Sequence, residues 1–249
     1  MSRYALLLFC LVSLAFADSA QGAPPIADLP PGYVVASRLV LGQARHGFEG
    51  AVELLQDGRI TASRLEALKQ YYWVGGDLAD PMTATLMDLA PLAPALLRIL
   101  DGRGTIRETR TLDSPFGALG VFEPLGHPPG ALRLSVWRGG FGSLLVEVTL
   151  PFRLDGGSLR AITSTDSDKG ETAPLELLRG VKTDWRAVKG PAGEDLLQAI
   201  CQPGSGAEAG FNEVYIRYRL DKGRWIRRFD QFPGFCDWPE GFPDAKLFP

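Results

Sequence analysis

The chain has 249 residues, 45% hydrophobic and 22% charged, a balance that excludes an extended disordered chain and leaves enough apolar surface for a core. The net charge of -3, which becomes -4 if Arg3 leaves with a signal peptide, excludes a general nucleic-acid binder, because such proteins are normally basic. Only six of the 26 basic residues are lysine and Asn212 is the sole asparagine, a bias toward Arg, Ala, Gly and Pro that points to a GC-rich bacterial genome.

The first element in chain order is a secretory signal at 1–17. "MSRYALLLFCLVSLAFADSA" joins basic Arg3 to an apolar run that ends on small residues at Ala15 and Ala17, which predicts cleavage before Asp18. The run falls short of the ~20 apolar residues a membrane-crossing helix needs. Cys10 follows Phe9, where a lipoprotein signal requires a small residue, so Cys10 reads as an ordinary signal residue. A periplasmic or secreted location follows, with no membrane-spanning segment after cleavage. Residues 18–33 form a proline-rich leader, "APPIADLPPG".

From 34 to 103 the pattern predicts helices. "FEGAVELLQDG" closes on Gly58 as a helix cap, "SRLE" at 63–66 has capping-box spacing, and Asp80 before Pro81 opens a third helix that Pro91 and Pro94 should split. From 104 to 249 short β-rich stretches take over, among them "TIRETRTL", "ALGVFEP", "ALRLSVW", "SLLVEVTLPFRL" and "SLRAITS". A further helix is expected around Gly193 to Cys201, followed by a C-terminal hairpin. The expected fold is therefore α+β: N-terminal helices packed as one domain with an antiparallel β-meander.

With the signal gone only Cys201 and Cys236 remain, and in an oxidising compartment they predict one disulfide, worth roughly 4 kcal/mol on the chain-entropy model. The two histidines, His46 and His127, lack ligand spacing to a cysteine, so no zinc site is expected. "DGRITASRLE" from Asp57 resembles half of an EF-hand, but Glu53, Leu55 and Arg64 fall on the first, third and twelfth ligand positions, and calcium needs an oxygen at each. "DSDKGE" from Asp166 reads as a solvated turn. "GSGAEA" from Gly204 has the letters of a dinucleotide fingerprint in the wrong context, since the phosphate cradle needs a strand before it and a helix after. No G-x-S-x-G elbow occurs, and "GFGSLL" around Ser143 lies in a strand pattern. No metal or cofactor is expected.

The hairpin "EVYIRYRLDKGRWIRRFDQFPG" carries the most specific signal. A three-residue loop of Asp221, Lys222 and Gly223 would set Arg217 opposite Arg227, Arg219 opposite Trp225 and Tyr215 opposite Phe229. Alternation then sends Val214, Ile216, Tyr218 and Ile226 to the core. Tyr215, Arg217, Arg219, Trp225, Arg227 and Phe229 would share an Arg and aromatic face, with Arg224 and Arg228 on the other side. The tail "GFCDWPEGFPDAKLFP" reads as a segment laid over the sheet. Two function classes remain open. One is a non-catalytic exported binding or accessory protein of the cell envelope that recognises an anionic component or a protein partner through Tyr215, Arg217, Arg219, Trp225 and Arg227. The other is a glycan-acting hydrolase using carboxylates brought together by the fold.

Overall fold

Strands buried on both faces carry continuous apolar runs in place of alternation, and two such strands shape this protein. In the computed structural model the described residues are 28–60, 92–122, 131–139, 145–180, 182–190, 193–203, 210–234 and 241–249. Fifteen strands lie among them. In chain order they are β1 (Tyr33–Leu41), β2 (Gly50–Asp57), β3 (Leu96–Asp101), β4 (Ile106–Thr111), β5 (Gly117–Val121), β6 (Leu132–Gly139), β7 (Leu145–Asp155) and β8 (Ser158–Ala161). There follow β9 (Thr163–Asp166), β10 (Thr172–Pro174), β11 (Leu177–Arg179), β12 (Thr183–Gly190), β13 (Gly193–Pro203), β14 (Phe211–Asp221) and β15 (Arg224–Gly234).

Each of three sheets is built on a meander of consecutive strands. The first has the order β1-β2-β3-β4; the second has the order β11-β7-β6-β5, with β8 also on β7; the third has the order β10-β9-β15-β14-β13-β12. Pairing is antiparallel except where β15 runs parallel to β9. The first and second sheets enclose one core, with Val52, Leu54, Leu97 and Ile99 meeting Leu132, Leu134, Val148 and Phe152. A second core joins Phe122, Leu175 and Leu177 to Leu196, Tyr218 and Trp225 on the inner face of the third sheet.

This architecture overturns the α+β expectation. Where 34–103 was expected to be helical, the described parts form β1, β2 and β3 with a single helical turn, Gln43–His46. Gly58 caps no helix; its N–H donates to the Gly32 carbonyl at 2.8 Å. The 63–66 capping box, Asp80, Pro81 and Pro91 lie outside the described residues, as does the signal at 1–17. The expected helix at Gly193 to Cys201 is strand β13. The physical reason is the same in both places. Every residue of β2 is buried, with Val52 and Leu54 in the first core and Ala51, Glu53 and Leu55 equally buried on the opposite face. In β13, Leu196 enters the second core while Leu197 and Ala199 are covered by the C-terminal tail. Two covered faces erase the period of two.

Glu53 is fully buried on β2 between arginines of both neighbouring strands. Its carboxylate takes Arg38 at 2.9 Å and Arg98 at 2.6 Å, and Arg98 also donates to the Asp28 carbonyl at 2.7 Å. Cys201 is buried in β13. Cys236 lies outside the described residues, so no disulfide pair stands among them, and the anticipated staple at a helix end is instead a cysteine within a sheet strand. Among the described residues, no helix is long and apolar enough to cross a membrane.

Candidate ligand-binding face

The turn between β14 and β15 fixes which arginines share a face. Asp221 pairs with Arg224, leaving a two-residue loop of Lys222 and Gly223 with φ of 48° and 79°. Positive φ at both loop positions is the type I′ geometry, whose twist matches that of the flanking strands. The expected loop of three residues is therefore one residue too long, and a slip of one moves every side chain of β15 to the other face.

Arg217 thus opposes Arg228 rather than Arg227, Arg219 opposes Ile226, Tyr215 opposes Asp230, and Tyr218 opposes Arg227. The outer face of the hairpin carries Tyr215, Arg217, Arg219, Ile226, Arg228 and Asp230. Trp225, Arg227 and Phe229 stand on the inner face with Val214, Ile216 and Tyr218. The expected six-residue face of Tyr215, Arg217, Arg219, Trp225, Arg227 and Phe229 is therefore divided. Trp225 is buried in the second core. Arg227 approaches Asp166 at 3.6 Å. The neighbouring Tyr218 phenol is pushed up to about 12 by burial.

On the outer face one buried carboxylate, Asp195 of β13, serves two guanidinium groups. Arg219 reaches it at 3.3 and 3.4 Å and Arg217 at 3.8 Å. Charge-assisted N–H···O bonds lie near 2.7–2.9 Å, so both contacts are long. The Arg217 Nε is buried without a hydrogen-bond partner. Arg219 is 45% exposed, and Arg228 is exposed beside the pair. Like charges directly opposite across strands repel, so Arg217 and Arg228 concentrate positive potential at this point.

The C-terminal tail lies along the same face, as the sequence reading expects. Phe248 sits 5.1 Å from the Tyr215 ring and stacks on Phe242 at 5.4 Å, while the Arg186 guanidinium of β12 lies 3.9 Å over Phe242. The Tyr215 hydroxyl donates to Glu213. Arg217 donates to the Ala245 carbonyl at 2.9 Å. Sequence reasoning missed Asp195, Arg186 and Arg228 in this cluster. A two-residue reading of the Lys-Gly turn recovers Arg228, whereas Asp195 comes from a strand that the helical expectation concealed and Arg186 from β12, a strand the sequence reading did not assign.

The remaining motifs settle as local structure. Asp57 accepts three bonds from the Arg59 guanidinium, one from the Arg59 backbone N–H at 3.0 Å and one from the Ala93 N–H at 3.2 Å. The Arg59 side chain foremost holds its carboxyl well below the usual range. Asp166 accepts the N–H groups of Lys169 and Asp168 at 3.0 and 2.9 Å, which with Arg227 lower its carboxyl. "DSDKGE" is thus a closed turn between β9 and β10. Among the described residues, no group of three His, Cys, Asp or Glu side chains is placed to hold a metal ion. His127, Ser143 and residues 204–209 lie outside the described residues. No protein-family model matches the chain, and neither the curated proteins nor the solved structures give a match.

Proposed function

We propose that this is an exported, non-catalytic binding or accessory protein of the bacterial cell envelope, which takes an anionic ligand on the outer face of its third sheet. Arg217, Arg219 and Arg228 supply the charge. The observation that carries the reading is the division of Asp195 between two guanidinium groups at 3.3 to 3.8 Å, which gives neither a close carboxylate partner and leaves Arg217 with the neutral Ala245 carbonyl at 2.9 Å. A phosphate or carboxylate can accept two parallel N–H bonds from one guanidinium, and it would relieve the repulsion between Arg217 and Arg228.

The hydrolase alternative gains no comparable support. The four buried carboxylates among the described residues, Glu53, Asp57, Asp166 and Asp195, each lie against at least one arginine. A general acid needs its proton retained near neutral pH, whereas arginines help to lower the carboxyls of Asp57 and Asp166.

Calorimetric titration with inorganic pyrophosphate and with a uronic acid oligosaccharide tests the proposal and separates phosphate from carboxylate preference. Binding should weaken as salt rises, and Arg219→Gln/Arg228→Gln should reduce it at least tenfold with the fold intact. Equal affinity in that folded variant, or no binding of either probe at low salt, would overturn the assignment.

A further inference from the structure

Three features of the described residues invite explanation beyond this reading. Ser164 on the inner face has a buried hydroxyl without a hydrogen-bond partner, but nothing around it points to a ligand. The outer edge of β15 past Arg227 is exposed, with Phe229 and Phe232 at 40% and 45%. The tail, by contrast, contacts the anion face directly.

We propose that residues 241–249 are an intrasteric strap that occupies the ligand face and must yield for an anion to bind fully, an inference that rests on the anion-binding reading. The Ala245 carbonyl, 2.9 Å from Arg217 Nη2, stands where an oxygen of the ligand would be held. A neutral carbonyl is the weaker acceptor for a guanidinium, since a phosphate or carboxylate adds the attraction of opposite charges and can accept two parallel N–H bonds from the fork. The strap therefore supplies Arg217 with one acceptor in the unliganded protein and can be displaced by a charged competitor.

Its construction suits that role. A 3-10 turn, Ala245–Leu247, is set by the Asp244 carboxylate accepting from the Lys246 N–H at 2.9 Å, and it aims the Ala245 carbonyl at the sheet. The turn itself is exposed, with Leu247 at 52%, so only Phe248 is deeply seated, on Tyr215, Leu197 and Ala199. Phe242 holds the other end under Arg186. The fixing points thus engage Arg186 and Arg217, two cations of the ligand face, and an anion drawn to them competes with the strap at both.

Hydrogen exchange in the full chain, with and without saturating pyrophosphate, reads strap release directly. The Leu247 amide, which donates to the Asp244 carbonyl at 3.0 Å, and the Phe248 amide should exchange at least tenfold faster with the probe bound. A chain ending at Gly241 should bind pyrophosphate about tenfold more tightly than the full chain, and a peptide of residues 242–249 should compete with the probe on it. Binding with unchanged or slower exchange at Leu247 and Phe248 would overturn the strap and leave the anion face standing. Absence of binding to both the full and the shortened chain would overturn both. The exchange measurement decides the matter even if the shortened chain does not fold.

Discussion

Replacing Glu53 by glutamine removes one negative charge from between two arginines without changing side-chain volume. Glu53 is fully buried and Arg98 is 2% exposed, with 2.6 Å between their closest atoms, whereas Arg38 at 16% retains a path to solvent. Breaking a buried pair by removing one partner costs about 3–5 kcal/mol, because the other charge is left uncompensated. The amide also turns a donor toward a guanidinium that can only donate. With a urea m-value of about 2–3 kcal/mol/M for a chain of this size, the midpoint should fall by about 1–2.5 M at constant m. Glu53→Met/Arg98→Met removes both charges, and apolar replacement of a buried pair is often neutral or stabilising. It should therefore recover most of the loss, although the Arg98 bond to the Asp28 carbonyl goes with it. A Glu53→Gln midpoint within about 0.3 M of the parent, or a double variant no more stable than the single, would refute the reasoning.

Acidification should destabilise the fold below about pH 4, the ordinary carboxylate range. Asp57, held low by Arg59, and Asp166, held low by the Lys169 and Asp168 amides, contribute stability that is complete above their unfolded values and lost as pH falls through their depressed folded values. Denaturation midpoints at pH 7 and pH 3 should differ, and Asp57→Asn should show a smaller difference; a parent midpoint independent of pH would contradict this. Asp195→Asn withdraws the carboxylate that competes for Arg217 and Arg219, so pyrophosphate affinity should rise several-fold by calorimetry, whereas unchanged affinity would show that Asp195 does not compete. Lys222, at φ 48°, pays for a left-handed conformation that asparagine tolerates better. Lys222→Asn should therefore raise thermal stability by up to about 1 kcal/mol, and a loss of stability would argue against the type I′ turn.

Much of the strand content was legible because it alternates. β4 to β7 match stretches bounded by Gly, Pro and Asp, and the tail was recognisable as a cover from its rings and prolines. β2 and β13 were not, because Val52, Leu54 and Leu55, and likewise Leu196, Leu197 and Ala199, are buried on two faces that lie far apart in sequence. Neither the partner sheet behind β2 nor the tail over β13 leaves a local trace in those strands. The hairpin itself was legible and its register was not, since Asp-Lys-Gly is compatible with both loop lengths. That single residue decided whether Arg227 or Arg228 belongs with Arg217. Tyr215, Arg217 and Arg219 remain in the candidate site because β14 is unaffected by the slip, while Trp225 and Arg227 leave it.

Two double variants test the outer-face assignment most directly, Arg217→Gln/Arg228→Gln and Arg217→Gln/Arg227→Gln, each titrated with pyrophosphate at low salt beside the single Arg217→Gln. Arg228 lies across from Arg217 on the outer face, and Arg227 faces Asp166 within. The Arg228 double variant should lose at least a further tenfold in affinity relative to Arg217→Gln. The Arg227 double variant should match the single variant in affinity. The reverse ranking, or equal affinity in all three folded proteins, would contradict an anion site on this face.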